Sequence, residues 1–128
     1  MLNLNLRMNI LDRIVADKRK EVALKKGLIS ISQLENTSLF NRETISLANA
    51  LRNSSTGIIA EHKRRSPSKS VINQGLNVHE VAKGYEIAGA CGMSVLTDGK
   101  YFGGSLDDLL LARASVIMPL LRKEFIID

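Results

Sequence analysis

Gly57-Ile58-Ile59-Ala60-Glu61-His62-Lys63-Arg64-Arg65-Ser66-Pro67-Ser68 decides the fold, together with a second stretch that ends the same way, Met118-Pro119-Leu120-Leu121-Arg122-Lys123-Glu124-Phe125. Each is a short apolar run that turns charged at its carboxyl end and delivers a lysine there. Near-continuous apolar runs of this length read as buried parallel strands. In α/β sheets, open or closed, ligands sit at the carboxyl ends of such strands. Side chains two residues apart share a strand face. Ile59, Glu61 and Lys63 therefore point one way on the first run, and Leu121, Lys123 and Phe125 point one way on the other. If both faces look into one cavity, Glu61, Lys63 and Lys123 converge and Phe125 supplies an apolar wall. His62 has the opposite parity and should face outward, toward helices.

Between and around these runs the pattern alternates. Met93 to Asp98 reads as a further strand, so that three strands span Gly57–Lys63, Met93–Asp98 and Pro119–Phe125. Proline is tolerated at a strand's first residue. Asn77–Ala88 reads as a helix with Val78, Val81, Ala82 and Tyr85 on one face, ended by Gly89. Ser105, with Asp108 three residues on, opens another helix that runs to about Ser115. Residues 66–76 and 99–104 are loops, the second carrying Tyr101-Phe102. The order is β–α–β–α–β, with connections long enough for parallel crossovers.

Ahead of this lies a helical segment. Asn9, with Asp12 three residues later, caps a helix over residues 9–26. Its apolar stripe is Ile10, Leu11, Ile14, Val15, Val22 and Ala23, its wet side includes Asp17, Lys18, Arg19 and Lys20, and Gly27 stops it. A short turn is expected around Ser32-Gln33-Leu34 and a further helix over Arg42–Arg52. The expected division is 1–55, a helical extension, and 56–128, a sheet region. The chain stops within or just past a strand, and a parallel sheet needs both faces covered. Three strands behind a helical lead look like the front of something larger, since a complete (β/α)8 barrel takes about 250 residues.

Composition narrows the partners. The 128 residues are 45% hydrophobic, enough for a core, and carry a formal net charge of +5, which suits an anionic partner. Aromatics are 4% with no Trp, a poor basis for a platform that stacks single strands. One cysteine, Cys91, cannot form an internal disulfide, which suits a reducing compartment. No apolar stretch approaches the ~20 residues of a membrane span, and the amino terminus lacks a signal peptide's apolar region. A soluble cytoplasmic protein is expected, with no membrane partner.

Two ammonium groups beside a carboxylate suit a phosphorylated or carboxylated small molecule. A lysine there can also act as a general acid: free lysine titrates near pH ~10.4, and burial or a second cation lowers that. The same residues admit plainer readings. Glu61–Lys63 could be a solvated surface pair. His62-Lys63-Arg64-Arg65 could be a nucleic-acid patch, and Arg64–Ser68 a phosphorylation target or phosphate loop. The strand Leu120–Ile127 could associate edge to edge with another copy. Phe102 could be a substrate wall or loop packing. His79 reads as a surface residue and Cys91 as a packed thiol. No His, Cys or carboxylate set has metal-ligand spacing, and no Gly-rich nucleotide motif occurs.

Taken jointly, Ile59–Lys69, Tyr85-Glu86-Ile87-Ala88-Gly89-Ala90, Ser94–Asp98, Tyr101-Phe102-Gly103-Gly104-Ser105 and Pro119–Ile126 resemble the indole-3-glycerol phosphate synthase family, in order and at family-like spacing. The leading helices resemble that family's extension before the barrel. The resemblance implies the N-terminal part of a (β/α)8 TIM barrel. It implies ring closure of 1-(2-carboxyphenylamino)-1-deoxyribulose 5-phosphate with loss of carbon dioxide and water, in tryptophan biosynthesis, with no metal or organic cofactor and no nucleic acid. By similarity Lys123 is the general acid, Lys63 holds the anionic substrate, and Glu61 orients that lysine and assists proton transfer. Ser66, Pro67 and Ser68 lie against the substrate, and Phe102 and Phe125 pack on its ring. Glu124 stands where the family usually has aspartate, with outward parity and a small expected effect. The family's second catalytic glutamate, its asparagine and its phosphate loops belong to later strands. The resemblance covers roughly the first half of the enzyme, and no turnover is expected of these residues alone.

Overall fold

β2 (Gly92–Leu96), buried along its whole length, is the strand around which the sheet is built. In this computed structural model, which describes residues 8–128, it lies between β1 (Ile59–His62) and β3 (Leu120–Lys123), all parallel, in the order β1-β2-β3. Register pairs Glu61 with Ser94 and Ser94 with Leu121, while Lys123 stands opposite Leu96. The crossovers are helical: α4 (Val78–Ile87) joins β1 to β2, and α5 (Leu106–Ser115) joins β2 to β3. This is an α/β arrangement with an unclosed sheet. Two units make up the chain: Glu43–Glu124, which holds the sheet, and the chain up to Arg42 together with Phe125–Asp128.

Strand alternation sorts the sheet unit into two faces. Met93 and Val95 point to the helical side and are fully buried with Val78 and Ala82 of α4, Ala112 of α5, and Val116 and Met118 on the way into β3. Val81, Tyr85 and Leu109 pack against this core, so the apolar face expected for α4 is the one it buries. Gly92, Ser94 and Leu96 point to the other side. At the amino end of that side α3 (Leu47–Arg52) lies close to β2: a side chain at Gly92 would meet Leu47 Cδ1 at 2.5 Å.

Local chemistry sets the boundaries, and several differ from the sequence expectation. Asn9 and Asp12 form a full capping box on α1 (Ile10–Leu28). That helix runs through Gly27 and ends at Leu28, with Ile29 as its C-cap, because Ser30 forms its own capping box with Gln33 and starts α2 (Ile31–Glu35). Lys18, expected on the wet side, is buried, with its ammonium on Glu21 at 2.7 Å. α3 begins at Leu47 rather than Arg42, since the Ser46 hydroxyl accepts from Asn49 N–H at 3.1 Å and fixes the start there. β1 starts only after Gly57, whose φ of +64° breaks the extended run. β3 starts after Pro119, which has no N–H to give the ladder but accepts from Met93 N–H at 3.1 Å. Among the described residues no helix is long and apolar enough to cross a membrane.

Candidate active site

The Glu61 carboxylate is the centre of the sheet's polar side. Its Oε2 accepts from Lys123 Nζ at 2.8 Å and from the Ser94 hydroxyl at 3.1 Å. Lys63 Nζ stands 3.6 Å from its other oxygen, Oε1. The three strands thus each send one polar group to one point, as parallel register and alternation require: Glu61, Ser94 and Leu121 form one row, and Lys123 leans back from the next. Tyr85 of α4 holds the backbone beneath, its hydroxyl donating to the Glu61 carbonyl at 2.9 Å. Partial burial would raise the Glu61 carboxyl's pKa. The hydrogen bonds from Lys123 and Ser94, with the charges of Lys123 and Lys63, more than offset that and hold it below the ordinary value of 4.5.

Two loops frame this point. The β1–α4 loop is tied down by its arginines. Arg64 makes a two-pronged pair with Asp108, at the start of α5, with both contacts at 2.9 Å, and also donates to the carbonyls of Gln74 and Leu76. Arg65 donates to the carbonyls of Gly99 and Lys100 in the β2–α5 loop, at 2.8 and 2.9 Å. His62 is buried on the helical side, as its parity demands, and its pKa is lowered by burial and by the Arg64 charge. The run His62–Arg65, which by charge alone suits a nucleic-acid patch, is therefore largely internal structure. Ser66 and Lys69 close a turn through their backbones, and the Ser66 and Ser68 hydroxyls lie 3.2 Å apart with Pro67 exposed between them.

The β2–α5 loop is built on Asp98, which is buried. Its carboxylate accepts from the N–H groups of Tyr101 at 2.7 Å and Phe102 at 3.1 Å, and its carbonyl accepts from Gly104 N–H. Gly104 returns so close to the strand that a side chain there would overlap the Leu96 carbonyl. Phe102 is thereby held half-buried at the carboxyl end of β2. Phe125 differs. β3 ends at Lys123, and Phe125 belongs to the other unit, so alternation along β3 says nothing of where its ring points. His79 is exposed, with Nδ1 2.8 Å from the Ser115 hydroxyl. Among the described residues no cluster of three or more His, Cys, Asp or Glu could hold a metal ion.

The model of the indole-3-glycerol phosphate synthase family matches residues 11–128. The chain belongs to that family. Curated synthases similar to it include that of Bacteroides thetaiotaomicron, 49% identical over 120 residues, covering 94% of this chain and 46% of that protein. That of Syntrophobacter fumaroxidans is 43% identical over 123 residues, covering 94% and 46%, and that of Acinetobacter baumannii is 37% identical over 125 residues, covering 98% and 47%. The chain spans about half the length of these indole-3-glycerol phosphate synthases.

Within this synthase-family chain the structure brings together Glu61, Lys63 and Lys123, and it adds groups that reading the sequence left without a role. Ser94 was legible only as a small polar residue in an otherwise apolar strand. Its parity matches Glu61 only once the register is known. Asp98 and Arg65 act through backbone groups of the neighbouring loop, a kind of contact that leaves no spacing signal. The Arg64–Asp108 pair joins residues 44 apart in the chain.

Proposed function

We propose that this chain supplies the first three strands, and part of the active site, of an indole-3-glycerol phosphate synthase. Such an enzyme converts 1-(2-carboxyphenylamino)-1-deoxyribulose 5-phosphate to indole-3-glycerol phosphate, carbon dioxide and water. The observation that carries this reading is Glu61 set between Lys123 and Lys63 at the carboxyl ends of β1 and β3.

Lys123, as an ammonium, protonates the substrate's ketone oxygen while the ring carbon bearing the carboxylate attacks the ketone carbon. Carbon dioxide leaves from that ring carbon, and the new hydroxyl then departs as water. Glu61, ionised, holds the Lys123 ammonium by its 2.8 Å hydrogen bond and aims it at the ketone oxygen. Lys63 holds the substrate's carboxylate by charge. Ser66, Pro67 and Ser68 form one wall on the β1–α4 loop, with Phe102 against the aromatic ring. The phosphorylated substrate, the absence of a cofactor and a cytoplasmic setting belong to the same proposal.

The test joins residues 1–128 to the remaining half of the Bacteroides thetaiotaomicron relative and follows indole-3-glycerol phosphate by its indole fluorescence. Turnover is expected, and Lys123→Ala should reduce kcat by roughly 10²-fold or more, as loss of a general acid does. A folded fusion without turnover, or one indifferent to Lys123→Ala, would refute the proposal.

A further inference from the structure

We propose that Ser94 is a positioning residue for Glu61: its hydroxyl fixes which carboxylate oxygen serves Lys123 and which is left to Lys63. The inference rests on the function proposed above, and goes further by assigning a role to a side chain of β2, the strand that otherwise contributes only packing.

Ser94 is 4% exposed in the middle of a strand whose other side chains are Met93, Val95 and Leu96. A buried hydroxyl costs stability unless it is hydrogen-bonded. The neighbouring backbone groups are committed to the β1–β2 and β2–β3 ladders. Its side-chain partner is Glu61 Oε2, the atom that also accepts from Lys123. Two donors converge on Oε2. Oε1 faces Lys63 at 3.6 Å, within reach of its charge but outside hydrogen-bond distance. The carboxylate is therefore turned toward Lys123. Rotation about the terminal torsion of glutamate is soft and roughly two-fold, so nothing intrinsic to Glu61 selects this orientation. Of the groups given to Glu61, Lys63 comes from the end of β1 and Lys123 from β3. β2 brings the neutral Ser94, and α4 brings the Tyr85 hydroxyl, which goes to the Glu61 carbonyl rather than its carboxylate.

A donor aimed at the ionised carboxylate favours that form. Removing it has two consequences. Glu61 holds a proton to higher pH, and its charge is shared between the two lysines instead of being committed to Lys123. Misalignment of a proton donor slows the step without weakening substrate binding.

The carboxyl carbon of Glu61 can be titrated by ¹³C NMR in the 128-residue chain, with Glu61→Gln identifying the resonance. Ser94→Ala should raise the midpoint by roughly half a pH unit, and Ser94→Thr, which restores the hydroxyl, should bring it back. An unchanged midpoint in Ser94→Ala, or a folded Ser94→Thr chain that stays shifted, overturns the inference. Should the alanine chain not fold, Ser94→Cys gives the same reading with a weaker donor of similar size. In the fused enzyme, Ser94→Ala should lower kcat by about tenfold with KM within about twofold, and move the acid limb of the kcat profile to higher pH. A loss of kcat with the limb unmoved overturns it as well. Absence of turnover in the unaltered fusion counts against the proposed function alone, and the carboxyl titration then decides the role of Ser94.

Discussion

The two faces of β2 divide the work of the sheet. On the helical side, Met93 and Val95 are sealed under α4 and α5 in an apolar cluster, with buried His62 paired opposite Val95. On the other side, one residue along, Ser94 donates to Glu61, which also accepts from Lys123, and Leu121 is 44% exposed. Both sides belong to strands that read as almost uniformly apolar. The lesson is that apolar content marks a strand as buried, whereas the sparse polar exceptions on one parity mark the side where chemistry is held. Stability should therefore respond most to truncation on the sealed face, and the Glu61 charge to changes on the other.

The strongest way to break that division is to hollow out the sealed side. Met93→Ala should cost about 2–5 kcal/mol in urea denaturation, through lost burial and the cavity left behind. Leu121→Ala, a comparable deletion on the polar side, should cost about 1 kcal/mol or less because much of that side chain is already in water. Equal losses from the two substitutions would show that the faces are not energetically distinct.

The loop clamp comes next in size. Asp108→Asn removes the charge facing Arg64 while keeping its volume. The Arg64 and Asp108 side chains are only 18% and 14% exposed, and the bond to Asp108 holds the Arg64 pKa above its ordinary value. A loss of about 1–3 kcal/mol is expected, below the figure for a fully buried pair. Limited proteolysis should then cut faster within residues 66–76. An unaltered cleavage rate would mean that the clamp does not order the loop.

The smallest effect is a pH slope. His62 has its pKa lowered from 6.5 by burial and by the Arg64 charge, against an opposing pull from Asp108. The unfolded chain thus takes up a proton near pH 6.5 that the folded chain refuses. The stability is fully present above pH 6.5, falls as pH drops below that value, and levels off below the folded pKa. The slope from one such proton is at most about 1.4 kcal/mol per pH unit. His62→Leu should flatten this part of the profile in denaturation series between pH 5 and 7. An identical slope in the variant would remove His62 as its source.

Much of this was open to reading from residues alone. The lysine at the end of each apolar run, the caps at Asn9 and Ser105, the apolar face of α4 and the outward parity of His62 follow from local rules: period two in strands, period 3.6 in helices, and side chains that satisfy free N–H groups. The family motifs reinforced them. Boundaries were harder. Gly27 did not end α1 and Arg42 did not begin a helix, because Ser30 and Ser46 offered caps a few residues away and the better-satisfied backbone won.

Strand identity, strand direction and the side on which each lysine stands were written into the chain, since alternation is local and needs no partner. That Lys63 and Lys123 meet over one carboxylate was not. It depends on register, which places Ser94 beside Glu61 and brings Lys123 within 2.8 Å of it across a sheet of three strands. Register is set by packing of the apolar face as a whole and by the ladder bonds between strands, and no residue carries it alone. The clamps of Arg64 on Asp108 and of Arg65 on the Gly99 and Lys100 carbonyls are of the same kind. They arise because crossover helices return each strand end to the same edge, and distance along the chain then ceases to matter.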